Sequence, residues 1–539
     1  MIRLTELALP LDHAPEALPA AIAQRLGIPQ EDLLNIVVFK RSYDARKKNS
    51  EITFVYIVDV EVRDEAAVLA AAGNHTHIRP APDTNYYQVA SAPRDLSDRP
   101  VIVGFGPCGL FAALILAQMG FRPIVLERGR NVRQRTQDTW ALWRKRELTP
   151  ESNVQFGEGG AGLFSDGKLY SQIKDPKFYG RKVMQEFVQA GAPEEILYVS
   201  KPHIGTFRLT GVVAAMRKQI ESLGGEIRFE SRVVDFLIGD DGMEGVVLES
   251  GEQIMSRHVV LALGHSSRDT FRQLHARGVF MEAKPFAIGF RIEHPQSLID
   301  RARLGKYAGH PALGAADYKL VHHAKNGRSV YSFCMCPGGT VVAATSETGR
   351  VVTNGMSQYS RNERNANAGI VVGISPEQDF PGGPLAGLAL QEALETQAYH
   401  LGGEDYSAPA QLVGDFIRRK SSEKLGDVIP SYKPGIRLGS LDSALPEYAI
   451  DAIREALPVF GRQIRGFDRD DAVLTGIESR TSSPVRLTRD KQTLQSLNTR
   501  GLYPAGEGAG YAGGILSAGV DGIKVAEAVA LAMTQGHKG

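Results

Sequence analysis

Cysteine is scarce: three residues in 539 cannot build a disulfide framework, which points to a reducing compartment. Net charge is scarce as well. With 62 basic side chains against 61 acidic ones, no global field draws the chain to nucleic acid or to an anionic membrane. Long apolar runs are missing; "ITFVYIVDV" and "HVVLALG" are strand-sized, far short of the roughly 20 residues that cross a bilayer. No internal repeat, low-complexity tract or metal-spaced His/Cys cluster stands out, so no metal is expected. The opening "MIRLTELALPLDHAPEALP" lacks the basic cluster and sustained apolar run of a signal peptide. The expected location is cytoplasmic, without a membrane partner, and the oligomeric state is open.

What is present is ordinary globular composition, 43% hydrophobic, in a chain long enough for two or three domains. Residues 1–95 read as a separate α+β module. Strand "IRLTELAL", helix "PEALPAAIAQRLG", strands "LNIVVFKRS" and "EITFVYIVDVEV", helix "DEAAVLAAA" and a last strand near "NYYQVA" follow a ferredoxin-like order. Between its middle strands lies the basic turn "KRSYDARKKN", with Lys40, Arg41, Arg46, Lys47 and Lys48. It is either a solvated hairpin tip, a docking patch for a partner or RNA, or a lid on a neighbouring site. "SAPRDLSDRP" is a linker rich in turn residues.

Residues 98–271 and 495–539 carry α/β patterning, and the stretch "VIVGFGPCGLFAALILAQMGFRPIVLERG" (101–129) explains it. A strand, a glycine turn, a helix and a second strand ending in an acid form a dinucleotide fingerprint. Gly104 permits the sharp turn, Gly106 lets backbone approach a pyrophosphate, and Gly109 lets helix and sheet pack closely. The helix start offers N–H groups to phosphate. Glu127 is placed to accept from ribose hydroxyls, and its charge repels the extra phosphate of NADP. The adenosine half is common to NAD and FAD, so this stretch alone does not choose. Downstream, "GVVAAMRKQIESLGG" is a helix, "EIRFES" a strand, and "RVVDFLIGDDGMEGVVLESGEQIM" three short antiparallel strands before "HVVLALG". A meander inserted in a parallel sheet belongs to FAD-binding folds.

The chain's return decides the cofactor. In "GLYPAGEGAGYAGGILSAGVDGIKVAEAVA" (501–530) a short strand reaches Glu507, and a glycine-rich turn opens a long small-residue helix. A carboxylate there accepts from a ribityl hydroxyl, while Gly506, Gly508, Gly513 and Gly514 admit a large flat ligand. Two such motifs at opposite ends of one fold select noncovalent FAD. Residues 272–494, from "FAIGFRIEH" through "RSVYSFCMC", "TVVAAT" and "AGIVVGI", read as an inserted β-rich α+β domain that covers the cofactor and supplies substrate groups.

The chain resembles the glutathione-reductase-type FAD superfamily and, within it, FAD-dependent dehydrogenases or NAD(P)/FAD-dependent oxidoreductases. The resemblance rests on the two glycine motifs and on "NVQFGEGGAGLFSDGKL", "KPHIGTFRL", "AIGFRIEHPQSLID", "FCMCPGG" and "GIESRTSSPVR". It implies that Gly104, Gly106 and Gly109 hold the pyrophosphate and Glu127 the adenosine ribose. It further implies that Val233 meets the adenine through its backbone, that Ala262 and Gly264 pass beneath the nucleotide, and that Gly506 and Glu507 meet the ribityl chain. Members of the superfamily usually carry Asp where this chain has Glu507. The loop 157–169 resembles the one that approaches the isoalloxazine, where Gly159, Gly160 and Gly162 free backbone N–H groups near flavin N5. Ser165, Asp166 and Lys168 are flavin or substrate contacts, or turn formers.

Two absences narrow the reaction. No cysteine lies between Glu127 and Cys334, so the cysteine pair of disulfide reductases is missing, and no second GxGxxG after a strand marks a nicotinamide domain. Electrons come from NAD(P)H bound transiently, from an organic substrate or from a protein carrier. "RRKSSEKLGDVIPSYKPG" and "GIESRTSSPVRLTRD" collect Arg418, Arg419, Lys420, Tyr432, Arg480, Thr481 and Arg486. Of these, Arg480 and Lys420 are the candidate catalytic cations. In "SFCMCPGG" strand alternation puts Cys334 and Cys336 on one face, ended by Pro337-Gly338-Gly339. Cys336 is expected to line the substrate side of the flavin as a reduced thiol. The expected activity is hydride transfer between flavin N5 and a small organic substrate; an RNA-associated flavoprotein and a non-catalytic redox sensor are the alternatives.

Overall fold

The computed structural model of the chain describes residues 1–45 and 51–535. Arg46, Lys47 and Lys48 of the basic turn lie outside the described residues. Ile2–Pro10, Leu33–Asp44, Thr53–Val62 and Ile78–Pro80 form one antiparallel sheet. Leu33–Asp44 is at one edge, followed by Thr53–Val62, Ile2–Pro10 and Ile78–Pro80. Two helices, Ala17–Leu26 and Glu65–Ala72, connect them. The fourth strand is not "NYYQVA". Residues 85–90 are irregular because this stretch leaves the sheet to lie on the next unit. There Tyr86 meets the Tyr179 ring at 6.2 Å, and Gln88 donates to the Gln118 carbonyl at 3.1 Å.

A five-stranded parallel sheet follows, with Val101–Val103 at its centre. Ile124–Leu126 and then Glu226–Arg228 lie on one side of it, and Val259–Leu261 and then Leu502–Pro504 on the other. All three residues of Val101–Val103 are buried, which is why they read as an apolar run without alternation. The returning strand Leu502–Pro504 joins the sheet at its edge, so residues nearly 400 apart share one layer. The antiparallel trio Val233–Gly239, Gly242–Leu248 and Gln253–Met255 stands beside it. The C-terminal helix Ile515–Gln535 packs on the fingerprint helix Pro107–Gln118.

The β-rich layer is a mixed eight-stranded sheet built on the long strands Phe286–Pro295, Ser329–Ala343, Asn365–Ile374 and Val473–Glu478. Helix Glu447–Gln463 covers it with its apolar stripe. The preceding helix Arg268–Ala276 contributes Phe271 and Leu274 to the core under the nucleotide sheet, as do Val485 and Leu487. By packing, the β-rich layer therefore runs from about 286 to 478, narrower than 272–494. Among the described residues no helix is long and apolar enough to cross a membrane.

The N-terminal module is not an appendage. Its core residues Ile2, Leu4, Tyr56, Val58 and Ile78 belong to one contiguous buried cluster with Phe286, Ile288, Ile370 and Ile453 of the β-rich layer. Its edge strand also pairs with the nucleotide unit: Arg41 N–H donates to the Tyr198 carbonyl at 2.6 Å, and Ser200 N–H to the Arg41 carbonyl at 2.9 Å. Each aliphatic side chain uncovered costs about 1.5–3 kcal/mol, and about 1 kcal/mol moves the melting point of a large domain by roughly 2–4 °C. Removing residues 1–95 is thus expected to lower the melting temperature by about 10 °C or more, or to leave the remainder insoluble. Thermal melts of the truncated and full chains check this, and an unchanged midpoint contradicts the shared core.

Candidate functional site

The fingerprint turn sets the site's first end. Gly104 has φ +101°, and a Cβ there would sit 2.5 Å from the Ala262 carbonyl oxygen, so only glycine lets strand and turn approach this closely. The helix Pro107–Gln118 starts directly after Gly106 with Pro107 in its first turn and no side-chain cap. An uncapped N-terminus is a place where phosphate oxygens satisfy free N–H groups. Glu127, buried, follows the second strand. Its Oε2 accepts from Phe105 N–H at 2.9 Å, and its Oε1 accepts from Gly129 N–H at 2.8 Å and Gly157 N–H at 2.9 Å. A carboxylate takes about four hydrogen bonds, so one acceptor position remains for a hydroxyl.

The loop 153–158 is held against this turn by Arg135, fully buried, which donates to the carbonyls of Asn153, Val154, Gly157 and Glu158. Gly160 comes next, with φ +61°; a Cβ there would lie 2.8 Å from Gly106 Cα. The second loop thus closes on the first across a gap that side chains would fill.

Both loops open on a cavity of about 1180 Å³, larger than the roughly 300–1,000 Å³ of drug-sized pockets. Its wall takes Gly104, Gly106, Glu127, Val233, Ala262 and Gly264 from the fingerprint side and Glu507, Gly513, Gly514 and Ile515 from the returning segment. Gly160, Ser165, Asp166 and Lys168 line it as well. Gly109, Gly159 and Gly506 stand behind the wall as spacers. A Cβ on Gly109 would run into the Gly104 carbonyl, one on Gly506 would lie 2.9 Å from Cys108 Cβ, and Gly159 N–H is engaged by the Phe105 carbonyl at 2.8 Å. Gly506 N–H donates to Asp521 Oδ2 at 2.8 Å, and Asp521 is gripped by Arg489 at 2.6 and 3.0 Å. That clasp fixes the returning strand to its helix.

Glu507 borders the cavity half-buried, with no side-chain hydrogen bond among the described residues. Burial pushes its carboxyl up to about 7, with Lys284 pulling the other way. His265 is driven down to about 3, first by burial and then by the guanidiniums of Arg480 and Arg268, so it is neutral at pH 7.

The three candidate catalytic residues separate. Arg480 borders the cavity, but its guanidinium is fully engaged. It holds Glu395 at 2.8 and 3.0 Å, Ser266 at 2.9 Å, Ser346 at 2.8 Å and Glu347 at 3.3 Å. Glu395, fully buried, is shared with Arg268 at 2.7 and 3.0 Å, and the two guanidiniums hold it well below the usual carboxylate range against burial. Arg480 is a positioning residue there. Lys420 is exposed in a loop away from the cavity; its neighbours Arg418 and Arg419 are spent on Asp470, Asp415 and Asp451. Tyr432 is buried and donates to the Tyr406 carbonyl. Thr481 borders the cavity, whereas Arg486 is exposed.

The cysteines reverse their expected order. Cys336 is fully buried behind the wall, and Cys334 lines the cavity. Alternation fails because the strand bulges. From Phe333 to Cys336 is three residues, but their partners Gly369 and Asn367 are two apart, and the next interval, Cys336 to Gly339, repeats the mismatch. Each bulge inserts one extra residue, and Cys334 takes φ +41°. The strand also continues through Pro337 to Ala343 rather than ending there. Neither cysteine is in a disulfide.

The sequence reading missed Arg361 and Glu395; a place beside a neighbouring site was one of the alternatives kept for the basic turn. Arg361 grips Asp166 at 2.5 and 3.0 Å. The N-terminal module contributes Lys40, Ser42 and Tyr43 to the cavity wall. The only signal for Glu395 was an acid on the apolar stripe of a helix.

Residues 285–481 match the family described as FAD-dependent protein, C-terminal domain-like, and residues 1–61 match a domain of unknown function, DUF8436. The chain belongs to the same family as a Clostridium beijerinckii protein described as uncharacterized, with 49% identity over 98% of both chains. Solved structures align weakly. Glycine oxidase from Geobacillus kaustophilus covers 80% of this chain and 95% of its own at 12% identity and TM-score 0.36. L-proline dehydrogenase from P. horikoshii covers 80% and 92% at 12% identity and TM-score 0.33. Likenesses at these scores assign neither substrate nor reaction.

Glu507 gives the site a pH signature. Its carboxyl rises from the ordinary 4.5 to about 7 in the fold, so between those values the folded state holds a proton that the unfolded state lacks, and stability falls as pH rises. Glu507→Gln is expected to melt above the wild type at pH 8, with the difference closing below about pH 4.5. Melts across this range check it, and a pH-independent difference contradicts the shift.

Proposed function

We propose that the chain is an FAD-dependent oxidoreductase that moves a hydride between noncovalently bound FAD and a small organic substrate. One observation carries the reading: two glycine turns nearly 400 residues apart, each suited to one end of a dinucleotide, open on the same cavity. The fit is supported by the uncapped helix start at Gly106, the spare acceptor on Glu127, the carboxyl of Glu507, without a hydrogen-bond partner among the described residues, and the wall glycines whose side chains would fill the space. The family description of residues 285–481 points the same way.

FAD, when bound, supplies the hydride acceptor or donor; the chain's own residues do the rest. The N–H groups after Gly106 receive the pyrophosphate. Glu127 would orient the adenosine ribose, Val233 and Arg232 would border the adenine, and Glu507 would accept from a ribityl hydroxyl. Lys168 and Asp166, the latter held from behind by Arg361, border the cavity, where Lys168 donates to the Met335 carbonyl and lies 3.5 Å from Asp166. A fixed cation there stabilises negative charge that develops during hydride transfer. The β-rich layer and the N-terminal hairpin exclude water. NAD(P)H is a transient donor in this scheme, bound without a domain of its own.

The purified protein is expected to be yellow and to release FAD on heat denaturation, at close to one per chain by absorbance and chromatography. Gly106→Leu places a side chain against the pyrophosphate path and is expected to lower that content at least tenfold. A stoichiometric FAD protein from the variant removes the fingerprint from the site; FMN, or no flavin in the wild type, removes the reading.

A further inference from the structure

The bulged strand behind the cavity is built around Cys334. Non-glycine residues with positive φ are uncommon, and such strain persists only where its surroundings enforce it. Here the enforcement is visible. Arg291 Nη1 donates to the Cys334 carbonyl at 2.9 Å, Cys336 Sγ contacts the same oxygen at 3.4 Å, and Lys168 Nζ donates to the next carbonyl, Met335. Two buried or half-buried cations therefore pin successive peptide groups. The outcome is that one thiol meets the cavity while the other turns into the core.

The charges around this thiol do not balance. Lys168, Arg291 and Arg361 supply three positive charges. Asp166, bound by Arg361, and Glu478, bound by Arg291 at 2.6 and 3.0 Å, supply two negative ones. The remaining titratable neighbours do not cancel the excess. His203 is pushed below its usual range by burial and is neutral, Asp317 is taken by Lys201 at 2.7 Å, and burial keeps the Tyr170 and Tyr318 phenols protonated. Glu507 faces Lys284. Among these groups the cations exceed the anions by one, since Lys168, at 3.5 Å from Asp166, shares it with Arg361, and a charge without a counter-anion in this low-dielectric wall is costly.

We propose that Cys334 is that counter-anion, a thiolate facing the substrate, and that it exchanges a proton with the substrate during hydride transfer. The role rests on the FAD oxidoreductase reading; the thiolate itself does not. When a substrate H–C–X–H gives its hydride to the flavin, the X–H proton passes to the Cys334 sulfur, S–H forms and C=X remains; the reverse direction returns that proton. The neighbouring Cys336 thiol first and then, against burial, Lys168 and Arg291 hold Cys334 well below the ordinary thiol range. The same contact raises Cys336 well above that range. Toward this proton Lys168 acts through Cys334 as a positioning residue, separately from the charge it offers the flavin.

The test is alkylation of the full-length protein as purified, with iodoacetamide between pH 5 and 9, each cysteine followed by peptide mass spectrometry and FAD content measured on the same samples. An ordinary thiol of pKa about 8.5 reacts at pH 6 about 300-fold below its plateau. Cys334 is expected to stay within about tenfold of its plateau at pH 6, and Cys108 and Cys336 to react far more slowly. Lys168→Met is expected to move the Cys334 profile to higher pH, and Lys168→Arg to restore it. If Lys168→Met fails to fold, the wild-type profile still decides. An ordinary profile at Cys334, or faster reaction at Cys336, overturns the proposal. Flavin-free protein with a low-pH Cys334 profile overturns only the oxidoreductase reading and with it the proton-transfer role.

Discussion

One carboxylate ties the cofactor end of this fold together. Glu127 collects the N–H groups of Phe105, Gly129 and Gly157, which come from the glycine turn, the end of the second strand and the loop that runs to the middle of the cavity. Hydrogen bonds to a charged acceptor in a dry setting are among the stronger ones available, and three from separate segments fix their relative positions. Without them the loop 153–158 would lose its register against the fingerprint, although Arg135 would still gather its carbonyls. A residue read from sequence as a ribose contact is thus first a structural clasp, and whatever it offers a ribose is the acceptor position left over.

A second clasp works at the opposite wall. Glu395, on helix Ala386–Gly402, sits between Arg268 from the nucleotide unit and Arg480 from the end of the β-rich layer. The three side chains join the two large units beside the cavity. Removing one partner of such a buried group costs about 3–5 kcal/mol by leaving charge unpaired, so the arrangement favours one relative placement over others. The N-terminal hairpin adds a third wall through Lys40, Ser42 and Tyr43, and the cavity is complete only with all three units in place.

Much of this was legible in the sequence, and the legible parts share a physical character. Gly104 and the strand before it, the three-stranded meander and the return at Leu502–Pro504 follow from local chemistry: turn geometry, strand periodicity and glycine where backbones touch. The errors arise where tertiary packing overrides local pattern. "NYYQVA" has strand composition, but Tyr86 found a partner on Tyr179 and the chain left the sheet. Alternation placed Cys334 and Cys336 on one face, and bulges pinned by Arg291 and Lys168 put them on two. Lys420 sat in a cation-rich stretch whose members turned out to serve surface ion pairs. Arg361 carried no local signal and Glu395 only its place on an apolar helix stripe, because each acquires its role from side chains distant in sequence.

The most direct test of the account is an experimental structure of the protein as purified, with the flavin density unbiased by a starting ligand. If FAD binds as this account proposes, the pyrophosphate would lie at the N–H groups following Gly106, the ribityl chain beside Glu507 and the isoalloxazine ring against the wall that carries Lys168 and Cys334. A nucleotide lying elsewhere, or a ring directed away from Cys334 and toward the adenine-end residues Arg232 and Val233, would contradict it.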